Sequence, residues 1–267
     1  MRIMSIQNGY NPPKPAFKSY DGFVRGTNRE LFNIGADNCM YKINSELMRP
    51  SAGYLIKLFY FIRDFYKNTE KVNLYSYGCS YGSEPTSFLM IMLSFWDEKD
   101  RRKMLPIIAK DINPMAIDNA KRKIITLDDH EINQCMNNSI DIHKYAYYLN
   151  DGINNMYGDP QYEYKLRPSL RKEIKYSVAN ILEDYINIEP DNSVVSARNF
   201  WPYLRIDIQR ELAKKLSQQL RKNSLLITGD FDDSQIFQRE TTTKLLLDNG
   251  FKPISECSNV FINSRYN

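Results

Sequence analysis

One stretch constrains the fold more than any other: Val72-Asn73-Leu74-Tyr75-Ser76-Tyr77-Gly78-Cys79-Ser80-Tyr81-Gly82-Ser83-Glu84-Pro85, followed by an apolar run to Trp96. A β-rich segment breaks at a glycine turn, sets a carboxylate just beyond it and restarts as a helix. Gly78 and Gly82 carry no Cβ, so the backbone can turn sharply and approach a ligand closely. Pro85 suits a first helical turn, where its missing N–H is not needed. Such strand–turn–helix units build ligand sites at the carboxyl ends of open α/β sheets.

A second unit follows. Leu105-Pro106-Ile107-Ile108-Ala109-Lys110-Asp111 ends a strand in an acid, and Asn113-Pro114 opens the next helix. An Asp at the tip of a second strand can accept both hydroxyls of a ribose, as the acidic residue of dinucleotide enzymes does. The first turn lacks the full G-x-G-x-x-G spacing that seats a pyrophosphate. An adenosyl ligand without phosphates fits this turn better than NAD.

Four blocks, in order, resemble the chemotaxis-receptor methyltransferases, the CheR-type branch of the class I S-adenosylmethionine-dependent enzymes. Gly78-Cys79-Ser80-Tyr81-Gly82-Ser83-Glu84-Pro85 is similar to that family's G-C-S-T-G-E-E-P turn, and Ala109-Lys110-Asp111-Ile112-Asn113 to its A-T-D-I-D. Tyr162 through Leu182, ending in Asn180-Ile181-Leu182, resembles the stretch that closes on its Asn-Leu pair. Ala197-Arg198-Asn199-Phe200-Trp201-Pro202-Tyr203-Leu204 resembles C-R-N-V-x-I-Y-F, the most specific of the four. The chain also departs from the pattern. Thr27-Asn28-Arg29-Glu30-Leu31-Phe32 is followed by Asn33-Ile34 where the family has Phe-Arg, with Arg25 and Arg29 as possible substitutes. Ser83 replaces the first paired glutamate, and Gly229-Asp230-Phe231-Asp232 stands where the family has Gly-His-Ser-Glu.

The resemblance implies S-adenosyl-L-methionine as cofactor and S-adenosyl-L-homocysteine as product. It implies cofactor contacts at Gly78, Cys79, Ser80, Gly82, Glu84, Asp111, Ile112, Asn180, Ile181, Arg198 and Asn199. Acceptor-side, catalytic roles fall to Arg198 and Tyr203, and the partner is a protein of the chemoreceptor kind. Bland alternatives stand beside these roles. Asp111 is a ribose acceptor or a helix-capping residue. Glu84 faces the ligand's ammonium or complements its helix dipole. Arg198 and Tyr203 position a carboxylate, through a forked cation and one hydroxyl, or they bridge and pack a loop. Asn199 ties the loop after the fourth core strand.

Methyl transfer from a sulfonium needs alignment, water exclusion and electrostatic preorganisation. A carboxylate acceptor, with a reference pKa of about 4, is ionised at neutral pH and needs no general base. That suits a chain with 2 histidines and no Ser-His-Asp or Cys-His pattern. An Asp, Glu or Tyr base would leave an amine or phenol acceptor open. Two rival functions stand: a non-catalytic S-adenosylmethionine-binding sensor or interaction module, and a methyltransferase acting on a small molecule. His130 and His143 read as surface residues rather than metal ligands. Asp230, Asp232 and Asp233 read as a solvated loop rather than a cation site. Cys79 has no paired base and is not a nucleophile. The tyrosines between Tyr145 and Tyr164 are either a recognition surface or ordinary packing.

With 267 residues the chain can bury a full core, and 42% hydrophobic residues make it an ordered one. No apolar run reaches membrane-spanning length, and the N-terminus lacks a secretion signal. Cys39, Cys79, Cys135 and Cys257 form no CxxC and read as reduced thiols, so a cytoplasmic location is expected. A net charge of +4, spread along the chain, does not favour nucleic acid.

The expected fold is α/β: an open, mostly parallel, doubly wound, Rossmann-like sheet with a C-terminal antiparallel hairpin and a small antiparallel appendage. Residues 1–70 form an N-terminal arm and helical segment, and 71–267 the cofactor-binding domain, with the β appendage inserted around 127–179. Helices are predicted over 53–67, 85–96, 114–126, 207–221 and 241–249, and core strands over 72–77, 107–111, 194–197 and 224–228. Residues 162–166 and 174–178 are predicted as strands of the appendage, 127–160 as short helices and loops, and 252–256 with 260–263 as the closing hairpin.

Overall fold

The computed structural model describes residues 52–151, 160–233 and 240–266. The N-terminal arm, the segment Thr27–Phe32 with Arg25 and Arg29, and Cys39 lie outside the described residues.

The first helix, α1 (Ala52–Phe65), buries Leu55, Leu58, Phe59 and Ile62 along one stripe. Phe59 packs on Phe88 and Trp96, with ring centroids 4.9 and 5.7 Å away. Strand β1 (Asn73–Tyr77) leads into α2 (Ser83–Phe95), whose residues Pro85 through Met92 are all buried. An all-round apolar helix of this kind belongs between a sheet and a further layer. After α3 (Glu98–Met104), capped by Asp97, comes β2 (Ile107–Asp111), which runs parallel to β1. Asn113 then caps α4 (Pro114–Lys121) by accepting the Met115 N–H at 3.0 Å.

That helix ends earlier than the pattern predicts. Lys123 takes a left-handed φ of 58° and turns the chain into β3 (Ile124–Asp128). The region expected to hold short helices and loops contains two short helices, α5 (Asp129–Asn137) and α6 (Ile142–Tyr145), and also a strand, β4 (Ala146–Asp151). With β5 (Gln161–Leu166) these strands form a separate antiparallel sheet in the order β3-β5-β4. The other expected appendage strand, β6 (Ile174–Val178), does not join it. It pairs in parallel with β2, from Ile107 opposite Ile174 to Asp111 opposite Val178. Its alternating polar residues reflect an edge position in the main sheet rather than a place in the appendage.

After β6 come the single-turn α7 (Ile181–Asp184), β7 (Ser193–Ala197), α8 (Ile206–Gln219), β8 (Leu225–Ile227), α9 (Thr242–Asp248) and the hairpin β9 (Phe251–Ile254) and β10 (Cys257–Asn263). The main sheet runs β6-β2-β1-β7-β8-β10-β9, with β10 antiparallel to both neighbours. Side chains alternate across it as a period of two requires. Leu74, Val194, Leu225 and Ile227 join α1, α2 and the appendage in one core, while Tyr75, Tyr77, Val195, Ala197 and Leu226 join α8 and α9 in the other. The fold is therefore the doubly wound, mostly parallel α/β sheet expected. Strand order reverses at β1, with β2 on one side and β7 on the other, and a crevice opens at such a switch point.

Candidate functional site

The turn after β1 is built from three left-handed residues: Gly78 (φ 70°), Ser80 (φ 48°) and Gly82 (φ 89°). A Cβ on Gly78 would lie 2.8 Å from the Phe200 ring, and one on Gly82 would lie 2.5 Å from the Tyr176 hydroxyl. Neither glycine can be replaced without displacing a neighbour. The turn is stitched to β2 by the Cys79 N–H, which donates to the Lys110 carbonyl at 3.1 Å.

Asp111 closes this corner. Its Oδ2 accepts the Ser80 N–H at 2.8 Å and its Oδ1 the Asn113 N–H at 2.8 Å. Burial pushes its carboxyl up, and the neighbouring backbone amides of Asn113, Ser80 and Ile112 pull the other way. A carboxylate offers about four acceptor positions, so these two bonds leave room for a ligand's donors. On the neighbouring strand the Ala179 N–H donates to the Asp111 carbonyl at 2.9 Å, which sets Asn180 beside this corner. Asn180 caps α7 by accepting the Leu182 N–H at 3.1 Å, and Ile181 is buried behind it.

The second corner, between β1 and β7, is made by side chains. Ser76 and Ser196 face each other in the strand register. Each hydroxyl donates to Glu84 Oε1 at 2.8 Å. The Arg198 guanidinium reaches Glu84 Oε2 at 3.7 Å, with only 2% of its side chain exposed. Burial pushes Glu84 up to about 7, opposed by the Ser196 and Ser76 hydroxyls. Cys79 is a buried thiol whose pKa burial raises, in keeping with a structural residue.

Arg198 and Asn199 begin the loop after β7, which ends in a tight turn over Trp201–Tyr203 with Tyr203 buried. Asn199 is left-handed (φ 59°). Asp232, which the sequence reading placed in a solvated loop, is instead 1% exposed and ties this loop down. Its Oδ2 accepts the Gly229 N–H at 2.7 Å and the Asn199 N–H at 2.9 Å, and its Oδ1 accepts the Trp201 N–H at 3.2 Å. Three backbone donors replace the water an exposed aspartate would need.

The structure thus groups the expected residues into two sets. Gly78, Cys79, Ser80, Gly82, Asp111, Ile112, Asn180 and Ile181 share the β2 side, while Glu84, Arg198, Asn199 and Tyr203 share the β7 side. Ser76 and Ser196 are not among the site residues the sequence points to, and Asp232 enters there only as part of a solvated loop. The two serines had a signal: each is a small polar residue inside a wholly buried strand, where a partner is required. A third polar cluster lies on the opposite sheet face. Lys110 Nζ donates to Asp184 Oδ2 at 2.6 Å, and the Tyr77 hydroxyl donates to the same oxygen. Burial pushes Asp184 up, but the Lys110 and Tyr77 bonds outweigh it and hold the carboxyl below its usual range.

The sequence profile of the CheR methyltransferase SAM-binding domain matches residues 57–246, well over half of the chain. A chemotaxis protein methyltransferase from Borreliella burgdorferi is 24% identical over 163 residues, which is 61% of this chain and 52% of that protein. The match therefore spans about half the length of this curated relative. Among solved structures, magnesium protoporphyrin IX methyltransferase from Synechocystis PCC 6803 is 13% identical with a TM-score of 0.43, covering 89% of this chain and 87% of that one. The N-methyltransferase NodS from Bradyrhizobium japonicum WM9 is 10% identical with a TM-score of 0.40, covering 80% and 94%. The chain belongs to the CheR methyltransferase SAM-binding domain family, and its cofactor is S-adenosylmethionine.

Proposed function

We propose that this protein transfers a methyl group from S-adenosylmethionine to a glutamate carboxylate of a protein acceptor of the chemoreceptor kind, in the cytoplasm. The observation that carries the reading is the Glu84–Arg198 pair, with Arg198 buried and Glu84 partly so, set one strand away from the Asp111 corner at the strand-order switch. The residues fit the cofactor on three counts. The left-handed turn has no room for side chains at Gly78 or Gly82, Asp111 keeps acceptor positions for the ribose hydroxyls, and Glu84 is a partly buried carboxylate suited to an ammonium. Asn180 and Ile181 are assigned to the edge of the adenine pocket, with Ile112 beside them.

When bound, the cofactor supplies an electrophilic methyl group on a sulfonium. The chain's own residues then align and shield it. Glu84 holds the amino-acid end of the cofactor and, through Arg198, couples it to the acceptor side. Arg198 and Tyr203 orient the incoming carboxylate, the first by charge and the second by one hydrogen bond. No residue has to take a proton, because the acceptor arrives ionised.

Two further features support a protein acceptor. The curated relative is named a chemotaxis protein methyltransferase. The edge strand β4 of the appendage carries Tyr147, Tyr148 and Leu149 in exposed positions, and such a patch suits a protein partner.

The test is transfer of radiolabelled methyl to receptor cytoplasmic fragments, followed by mild alkali. Alkali-labile label released as methanol is expected. Label retained in the protein would point to nitrogen methylation, and transfer only to metabolites would point to a small-molecule acceptor. Cofactor binding without turnover on any acceptor would favour a sensor. Tyr203→Phe is expected to leave cofactor affinity intact and slow transfer, and a normal rate would remove Tyr203 from the mechanism.

A further inference from the structure

The loop that bears Arg198 and Tyr203 leaves β7 through a left-handed Asn199 and turns tightly, the Tyr203 N–H donating to the Phe200 carbonyl at 3.1 Å and the Leu204 N–H to the Trp201 carbonyl at 2.9 Å. From outside the loop, Asp232 holds it by two of its backbone amides.

Three features make Asp232 more than one polar residue among many. Its side chain receives backbone amides from two chain segments: Asn199 and Trp201 after β7, and Gly229 after β8. A carboxylate is acceptor-only and matches three N–H donors, whereas an asparagine would turn its NH2 group against one of them. Asp232 is also held from behind. Its own N–H donates to the Gly229 carbonyl at 3.1 Å, and its carbonyl accepts the Thr242 hydroxyl at 2.8 Å, at the start of α9.

The contacts then continue toward the cofactor turn. The Trp201 indole N–H donates to the Ala197 carbonyl at 2.7 Å, at the end of β7. The Trp201 ring stacks on Phe200, 5.9 Å between centroids at an interplanar angle of 7°. The Phe200 ring in turn fills the space where Gly78 would carry a Cβ. Gly229 has no room for one either, because the Asn199 side chain lies there. The loop is thus held by Asp232 through the Asn199 and Trp201 amides and packed on the glycine turn through Phe200.

We propose that Asp232 is a positioning residue for methyl transfer: by gathering the Gly229, Asn199 and Trp201 amides it sets where Arg198 and Tyr203 stand relative to the cofactor turn. The inference rests on the reading above that Arg198 and Tyr203 face the acceptor. Asp232 itself touches neither cofactor nor acceptor and acts through the loop. Burial pushes its carboxyl up to about 7, and the three amides and the Arg198 charge on the β7 loop pull it down. A charge this far from water survives only with such partners.

The test has two arms. In the wild-type protein, amide protons of Gly229, Asn199 and Trp201 are expected far downfield in proton–nitrogen correlation spectra and move together during a pH titration. Three ordinary shifts, or three unrelated titrations, would overturn the proposal even if every variant failed to fold. In D232N, resonances of Arg198 and Tyr203 are expected to shift while those of Ser80 and Asp111 stay, and S-adenosylhomocysteine affinity is expected to change less than about threefold.

With a protein acceptor, kcat of D232N is expected to fall at least about tenfold at unchanged cofactor KM, and D232E, which keeps the carboxylate, is expected to recover part of it. A folded D232N with wild-type kcat and unmoved Arg198 and Tyr203 would overturn the proposal. Failure of the wild-type protein to methylate any protein would instead sink the acceptor reading, and the amide and side-chain shifts would still decide whether Asp232 holds the loop.

Discussion

The β1–β2 corner and the β1–β7 corner each hold a carboxylate largely shielded from water, and they are built by opposite means. Asp111 is held by backbone amides, those of Ser80 in the turn after β1 and of its near neighbour Asn113. Glu84 is held by side chains: Ser76 on its own strand–turn–helix unit, and Ser196 on β7 with Arg198 just after it, more than a hundred positions away. A corner made from backbone amides survives most side-chain substitutions nearby. One made from distant side chains depends on the sheet being assembled correctly. The Asp111 corner therefore depends on the backbone geometry of the β1 and β2 units, while the Glu84 corner depends on which side chains the sheet brings together.

The largest expected effect comes from breaking the side-chain corner. Glu84→Ala removes one carboxylate that faces the buried Arg198 guanidinium and is expected to cost about 3–5 kcal/mol in urea unfolding. The double variant Glu84→Gln with Arg198→Met removes both charges and is expected to recover much of that. A double variant no better than the single would show that the pair is not the source of the loss.

Next is the pH dependence. The folded-state value for Glu84, about 7, lies above its ordinary 4.5. Between these values the folded protein holds a proton that the unfolded chain releases. The Glu84 contribution is therefore fully present below pH 4.5 and lost as pH rises through about 7. The urea midpoint is expected to fall over that window, and Glu84→Gln to flatten the slope. Asp232, pushed the same way, contributes a slope of the same sign. A midpoint rising with pH in the wild-type protein, and unaffected by Glu84→Gln, would contradict this.

The backbone corner is expected to behave more mildly toward unfolding and more severely toward ligand. Asp111→Asn should cost about 1–3 kcal/mol of stability, because one amide group must face backbone donors, and should abolish cofactor binding. Smallest are Ser76→Ala and Ser196→Ala, about 1 kcal/mol each. Since both donate to the same Glu84 oxygen, their double-mutant cycle is expected to show coupling. Strict additivity would mean that the two hydroxyls do not share a partner.

The same contrast explains what was legible in the sequence. The glycine turn, Asp111 and Asn113 announce themselves because each sits at a strand-to-helix junction marked by its own residue types, glycine in the turn and Asn-Pro at the helix start. The α/β alternation also reads through, since buried strands such as Val194–Ala197 and helices such as α8 keep their periods. The illegible parts are non-local or unmarked. Nothing beside Asp232 in the chain says that amides from Asn199 and Trp201 will reach it. The left-handed turn that stops α4 is made by Lys123, a residue type that rarely takes this conformation, so periodicity alone carries the helix on into β3. Ile174-Lys175-Tyr176-Ser177-Val178 alternates like the appendage strands, and only its pairing with β2 assigns it to the main sheet.

The central claim is that the Asp111 corner binds S-adenosylmethionine, and calorimetric titration with S-adenosylhomocysteine tests it most directly. The account predicts one-to-one binding by the wild-type protein and none by folded Asp111→Asn. No binding by well-folded wild-type protein, or equal affinity in the two, would contradict it.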